Sequence, residues 1–215
     1  TYTTVLTITD SRGCDSTKTI TITPTKPYPS FTVAPTTCHN NAVVFTNTST
    51  GQTINEWNFG DTTALSNALS PSHNYVVNND QIFTVSLRVI DANTCDSTLS
   101  TTITIKHPVA SFSTTDVVIP CWSTGSATMT NSSSSALGSI VSYSWLFEDL
   151  YNPFSNTSTE EKPVYQYRGP GINDVRLTVT DDFGCTDVLL RPDYIKVGGP
   201  QGTYTFTLIE SCAPS

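Results

Sequence analysis

The stretch Trp57-Asn58-Phe59-Gly60-Asp61 returns once along the chain as Trp145-Leu146-Phe147-Glu148-Asp149, and this recurrence restricts the fold more than any other feature. A period of about 90 residues implies successive copies of one module, each large enough to close its own core, rather than one 215-residue domain. Charged residues make up only 13% of the chain, about half of the roughly 25% usual in soluble domains, so Thr, Ser and Asn supply the polar surface. Thr and the aromatics favour strands, Asn and Ser favour turns, and helices are expected to be scarce or absent.

Three hairpins repeat with the modules. Tyr2–Thr9 and Thr17–Thr23 alternate in polarity around Asp10-Ser-Arg-Gly-Cys14; Phe83–Asp91 leads in the same way to Cys95, and Asn173–Asp181 to Cys185. In each, an Asp stands four residues before the Cys. A period of two predicts an inward set of Leu6 and Ile8, then Val85, Leu87 and Val89, then Val175, Leu177 and Val179. Pro-bearing linkers, Pro24–Pro29 and Lys106–Pro108, precede Phe31 and Phe112, and Val197–Pro200 precedes Phe206. Short strands at 42–46, 54–59, 127–130 and 141–147, with corners at Pro71–Tyr75 and Pro163–Tyr167, complete six to seven strands per copy. This pattern, with a Trp on a central strand, predicts an all-β fold of tandem immunoglobulin-like β-sandwiches, joined by short linkers into a stiff, beaded rod.

Trp57-x-Phe59-Gly60-Asp61, Pro71-x-His73-x-Tyr75, Phe83-x-Val85-x-Leu87-x-Val89 and the opening Pro27 with Ser30-Phe31 resemble the polycystic kidney disease (PKD) domain family. The second copy departs from the pattern in Glu148, in Tyr165 in place of the His, and in longer loops. The expected organisation is a C-terminal hairpin of a truncated repeat at 1–26, PKD-like domains at 27–106 and 107–198, and the start of a further repeat at 199–215. The resemblance implies a structural stalk or adhesive segment of a long secreted cell-surface repeat protein, in the manner of giant adhesins of Bacteroidota, with possible assembly into a filament. Its partners would be adjacent repeats, neighbouring chains in a fibre, or surface glycans. The alternative is a spacer or accessory role beside the catalytic domain of a secreted hydrolase.

Six Cys without a CxxC pair point to disulfides in an oxidising, extracellular compartment. Positions in the repeat predict Cys38–Cys95 and Cys121–Cys185, the first closing a loop worth about 4 kcal/mol in the chain-entropy model. Cys14 and Cys212 would then pair outside residues 1–215.

No catalytic, cofactor or metal site is expected. His39, His73 and His107 have no nucleophile in a recognisable context, and His73 reads as a packed corner residue. Trp57, Phe59, Trp145 and Phe147 read as core. A formal charge of -8 with only 10 Lys and Arg argues against nucleic acid, and no apolar run approaches a membrane span. Calcium would need ligands such as Asp10, Asp91, Asp181 and Asp182, for which a role in turns is simpler. Ser16, Thr62 and Ser97 follow Asp in a short O-glycosylation pattern and are the glycan candidates, making the chain a glycoprotein. Asp149–Phe154 and Arg168–Gly171, insertions of the second copy, are the candidate recognition loops, with Tyr151 and Phe154 as their aromatics.

Overall fold

The computed structural model describes residues 1–121, 123 and 125–199. The further repeat expected from residue 199, with Phe206 and Cys212, lies outside the described residues beyond Gly199. The chain divides after Lys106 into two compact units. The architecture is all-β, and no helix is long and apolar enough to cross a membrane.

A separate hairpin comes first, β1 (Tyr2–Thr9) and β2 (Asp15–Ile22). The first copy then contains β3 (Phe31–Thr32), β4 (Thr36–Cys38), β5 (Val43–Val44), β6 (Thr46–Asn47), β7 (Ile54–Asn58), β8 (Ser72–His73), β9 (Gln81–Ile90) and β10 (Asp96–Lys106). The second contains β11 (Phe112–Ser113), β12 (Val118–Ile119), β13 (Ala127–Thr128), β14 (Thr130–Asn131), β15 (Ile140–Leu146), β16 (Thr157–Ser158), β17 (Val164–Tyr165), β18 (Gly171–Asp181) and β19 (Thr186–Val197).

In the first copy one sheet runs β4-β10-β9-β7, while the short pairs β3–β6 and β5–β8 form the opposing layer. Along β9, Val85, Leu87 and Val89 are fully buried, while Thr84 before them and Arg88 among them face water and Ser86 is half-buried, the alternation that a half-buried strand requires. Their core partners are Val43, Phe45 and Trp57. Phe31 meets the Trp57 ring edge-on at 5.0 Å, and the indole N–H donates to the Ala68 carbonyl at 3.0 Å. The second copy builds the same centre: its sheet runs β12-β19-β18-β15-β16, Phe112 meets Trp145 edge-on at 5.1 Å, and the indole donates to Glu160 O at 2.9 Å. Burying each Trp with its one polar atom satisfied gives both modules a shared internal reference point.

Each hairpin turns on its Asp. The Asp10 carboxylate accepts from the N–H groups of Arg12 and Cys14, Asp91 from Asn93 and Cys95, and Asp181 from Phe183 and Cys185. The three turns are therefore one structure, an Asx-type turn closed twice. The hairpins differ in what covers them. Leu6 and Ile8, expected inward, are 60% and 63% exposed, because β1 and β2 form a two-stranded sheet with no opposing layer among the described residues.

The expected cysteine pairs require correction. Cys38 and Cys185 each take part in a disulfide, whereas Cys14 and Cys95 are free thiols. Cys38 sits beside Lys106 at the end of β10, in parallel register, whereas Cys95 precedes Asp96 at its start. Eleven residues of strand separate the two ends by about 35 Å, far beyond the roughly 7 Å that a disulfide spans between Cα atoms. The second copy repeats the problem: Cys121 follows Ile119, which pairs with Val197 at the end of β19, and Cys185 precedes its start at Thr186. Cys121 Sγ lies 3.1 Å from Ser123 Oγ. Neither Cys38–Cys95 nor Cys121–Cys185 can close within a module of this topology.

Candidate functional site

The Trp strand of each copy ends at a corner built around a carboxylate. In the first copy Gly60 turns the chain at φ 81°, and a Cβ there would lie 2.4 Å from the Thr84 carbonyl oxygen, so only glycine fits. Asp61 then accepts from the Thr63 hydroxyl at 2.6 Å and lies 2.6 Å from His73 Nε2. His73 stacks on Phe59 with ring centroids 4.0 Å apart and meets Tyr75 edge-on. It is the packed, hydrogen-bonded histidine expected of this corner. Burial works against the Asp61 charge, but hydrogen bonds from Thr63 and His73 hold its carboxyl below the usual carboxylate range.

In the second copy Glu148 takes the left-handed position at φ 45°, and Tyr165 replaces the histidine, stacked on Phe147 at 4.2 Å. Asp149 is buried. It accepts from the Tyr151 and Arg168 N–H groups at 3.0 and 2.9 Å and from the Tyr165 hydroxyl at 3.2 Å. Burial pushes the Tyr165 phenol up to about 12, with the Asn152 hydrogen bond opposing and the Asp149 charge reinforcing that rise. One carboxylate thus ties together both insertions expected as recognition loops. Tyr151 does not stand free: its ring lies over Gly169, where an added Cβ would come within 2.3 Å of it. Phe154 is 100% exposed and Leu150 85%, so the outward apolar face of this loop belongs to them.

The other candidates are dispersed. Ser16 and Thr62 are exposed, Thr62 on a positive φ of 67° just past the first corner, and Ser97 is half-buried on β10. Asp10, Asp91 and Asp181 each commit one carboxylate oxygen to their own turn, and among the described residues no three His, Cys, Asp or Glu side chains converge on a metal site. Sequence reading missed the part played by Asp149, although its recurrence at the place of Asp61 was visible. It also missed the buried pair of Lys106 Nζ and Asp80 Oδ2, 3.6 Å apart.

A third set of contacts lies where the chain enters each module. Tyr28 and Thr50 exchange backbone hydrogen bonds, as do Val109 and Ser134. The Thr25 hydroxyl donates to Asp91 Oδ2 at 2.9 Å and accepts from Asn93 Nδ2 at 3.1 Å, while Ala110 N–H donates to Asp187 Oδ2 at 2.8 Å. The entering linker is therefore gripped beside the hairpin turn in both copies. The first module is left at Lys106, at the far end of β10 from that turn, and β19 likewise carries the chain from the second turn to Val197.

These features define a class: immunoglobulin-like sandwiches repeated in tandem, each centred on a Trp and entered and left at opposite ends. Residues 105–197 match the family described as PKD domain, and the second copy is a PKD domain. A stretch of 70 residues is 43% identical to the pre-pro-metalloprotease PrtV of Vibrio cholerae serotype O1, covering 33% of this chain and 7% of that relative. Among solved structures, the PKD1 domain of Vibrio anguillarum Epp is similar at 32% identity over 44% of this chain and 98% of its own, with a TM-score of 0.36. The PKD1 domain of the Vibrio cholerae metalloprotease PrtV is similar at 37% identity over 42% of this chain and 96% of its own, with a TM-score of 0.34.

Proposed function

We propose that this chain is a non-enzymatic structural segment of a secreted, extracellular cell-surface repeat protein, acting as a stalk or adhesive spacer. The observation that carries the reading is the path of the chain through each module. It enters beside the hairpin turn, where side chains and backbone grip it at once, and leaves about 35 Å away at the end of one 11-residue strand. A pull on the chain is then borne along the module rather than across a loop. Repetition adds reach with every copy, and weak contacts along many copies sum to avidity. The exposed Phe154 and Leu150 supply an apolar contact surface that the sandwich itself does not need. Neighbouring chains in a fibre and surface glycans are the partners that suit such a surface. Glycans at Ser16, Thr62 or Ser97 would shield exposed edges, and an intact mass equal to that of the bare polypeptide removes that part of the reading.

The test is single-molecule stretching of the whole chain by its ends under reducing conditions, since a disulfide would carry the force past the residues it encloses. Each sandwich of about 80 residues should release about 25 nm of contour in one abrupt step. Gradual extension without such steps contradicts the stalk reading. A second reading has one specific support, the 43% identity over 70 residues with a pre-pro-metalloprotease: the modules would then space a catalytic domain of a hydrolase. Electron microscopy of native material separates the two, since fibres or long stalks favour the first and globular particles the second.

A further inference from the structure

The corner of the second copy opens into a groove of about 330 Å³, at the lower end of the roughly 300–1,000 Å³ of clefts that take small ligands. It lies where the two layers part, with β16 of the five-stranded sheet on one side and β17 of the β13–β17 pair on the other. The stacked rings of Phe147 and Tyr165 line its buried side. Around them stand Asn152, Ser155, Thr157, Glu160, Gln166 and Arg168, so the lining offers hydroxyls, amides, one cation and one anion. The rim is held from within. Glu160 is fixed by its backbone, which accepts from the Trp145 indole and donates to Ser158 Oγ at 3.2 Å, and Arg168 is fixed by its N–H on Asp149. The charged ends of both have no hydrogen bond or ion pair within the protein among the described residues. Residues 152–155 form a turn with Pro153 and Phe154 at its tip: Ser155 N–H donates to the Asn152 carbonyl at 3.3 Å, and Asn152 Nδ2 donates to the Ser155 carbonyl at 3.0 Å. Asn152 Nδ2 also reaches the Tyr165 hydroxyl at 3.3 Å, and that hydroxyl donates to the buried Asp149. Because Asn152 and Ser155 both line the groove, the turn sets the fully exposed Phe154 at its rim.

We propose that this groove binds a neutral oligosaccharide, with Phe154 stacking on the C–H face of one sugar ring and Asn152, Glu160, Gln166 and Arg168 hydrogen-bonding to its hydroxyls. A sugar ring presents C–H bonds on its faces and, around its edge, hydroxyls that both donate and accept. An aromatic ring beside planar polar side chains of both kinds matches it. Arg168 supplies donors, while Glu160 and the side-chain oxygens of Asn152 and Gln166 supply acceptors. The opposite charges of Arg168 and Glu160 give an anionic ligand no advantage, and the net charge of -8 opposes one at long range. A protein partner fits less well, because interface centres are depleted in charged residues and this groove places two of them around its aromatic wall. The hydrogen bonds running down to Asp149 hold the rim in place before any ligand arrives, which lowers the ordering cost of a weak, repeated contact. The inference rests on the adhesive part of the proposed function, for which it names the site and the ligand class.

The test is titration of the full chain with cellohexaose, xylohexaose, mannohexaose, maltohexaose and chitohexaose, and with hexagalacturonate as the acidic member, followed by NMR amide shifts. At least one neutral member should bind with a Kd of about 1 mM or tighter and shift the amides of residues 152–168. Phe154→Ala and Arg168→Ala should each weaken that binding at least about tenfold. The unfolding midpoint of the second copy should stay where it is in both variants, since both side chains are exposed. Val76→Ala, a comparably exposed apolar truncation in the first copy, should leave binding unchanged. The proposal is overturned if no neutral member binds below about 10 mM, if the acidic member is preferred, or if binding survives Phe154→Ala. Self-association of the chain that Phe154→Ala abolishes, without sugar binding, also overturns it and assigns the tip to a second copy. The stretching steps do not depend on the groove, so a failed titration with those steps intact removes the sugar site and leaves the stalk reading standing.

Discussion

The two corners hold a carboxylate at the same place and accommodate it differently. In the first copy Asp61 stays partly open, with a stacked histidine and a threonine hydroxyl as partners, and the chain turns on a glycine that nothing else can replace. In the second copy Asp149 is buried, a tyrosine hydroxyl and two backbone N–H groups satisfy it, and the turn residue is Glu148. The second arrangement spends its carboxylate on organising two insertions, while the first spends it on one aromatic stack. The Trp centre beneath is the same in both, so the sandwich tolerates redesign of its corner as long as the carboxylate is hydrogen-bonded.

If the two centres are equivalent, Trp57→Ala and Trp145→Ala should each cost about 4 kcal/mol, and each only in its own unit. Denaturant titration of the full chain, with exchange assigning the two transitions, measures this. A cost that differs more than twofold between the copies would break the equivalence. The next effect tests what is unlike. Gly60→Glu places the second copy's residue in the first and should cost about 3 kcal/mol, because its Cβ meets the Thr84 carbonyl. Glu148→Gly should stabilise the second copy by about 1 kcal/mol through relief of the left-handed backbone.

A smaller effect follows from Asp61. Its carboxyl is depressed in the folded state despite its burial, through Thr63 and His73. The resulting stability is fully present above the unfolded carboxylate value of about 4 and is lost as pH falls through the lower folded value. The first copy's unfolding midpoint should therefore drop below about pH 4, and Asp61→Asn should flatten that slope while lowering the midpoint at neutral pH. An unchanged acid slope in the variant would remove Asp61 from the account.

Much of the core was legible because it depends on local alternation. Val85, Leu87 and Val89 declare their face by period two, and Trp57 and Trp145 declare theirs by recurrence. Leu6 and Ile8 carry the same pattern, but a pattern specifies which face wants burial and not whether a second layer is there. The cysteine pairs failed for a related reason. That Cys38 lies at the far end of β10 from Cys95 depends on the parallel pairing of β4 with Lys106, a long-range contact with no mark in the spacing of the residues. The second corner was readable only as a departure from the first. Tyr165 and Glu148 announced a change, while the burial of Asp149 depends on loops that close over it from two directions.

The smallest predicted difference lies two residues further along each corner. Tyr75 donates its hydroxyl to the Phe59 carbonyl at 2.9 Å, whereas the Tyr167 hydroxyl is buried with no hydrogen-bond partner among the described residues. Burial raises both phenols well above the ordinary tyrosine value, so both stay neutral donors across the physiological range. Tyr75→Phe removes a formed hydrogen bond and also strands the Phe59 carbonyl, a loss of about 1 kcal/mol. Tyr167→Phe removes a buried group without a partner among the described residues, so its effect should be near zero or a gain of up to about 1 kcal/mol. The two substitutions are chemically identical and sit at matching positions, so the sign of their difference isolates the hydrogen bond from the packing. Equal losses in both copies would mean that Tyr167 has a partner in solution, and the two corners would then be more alike than their geometry indicates.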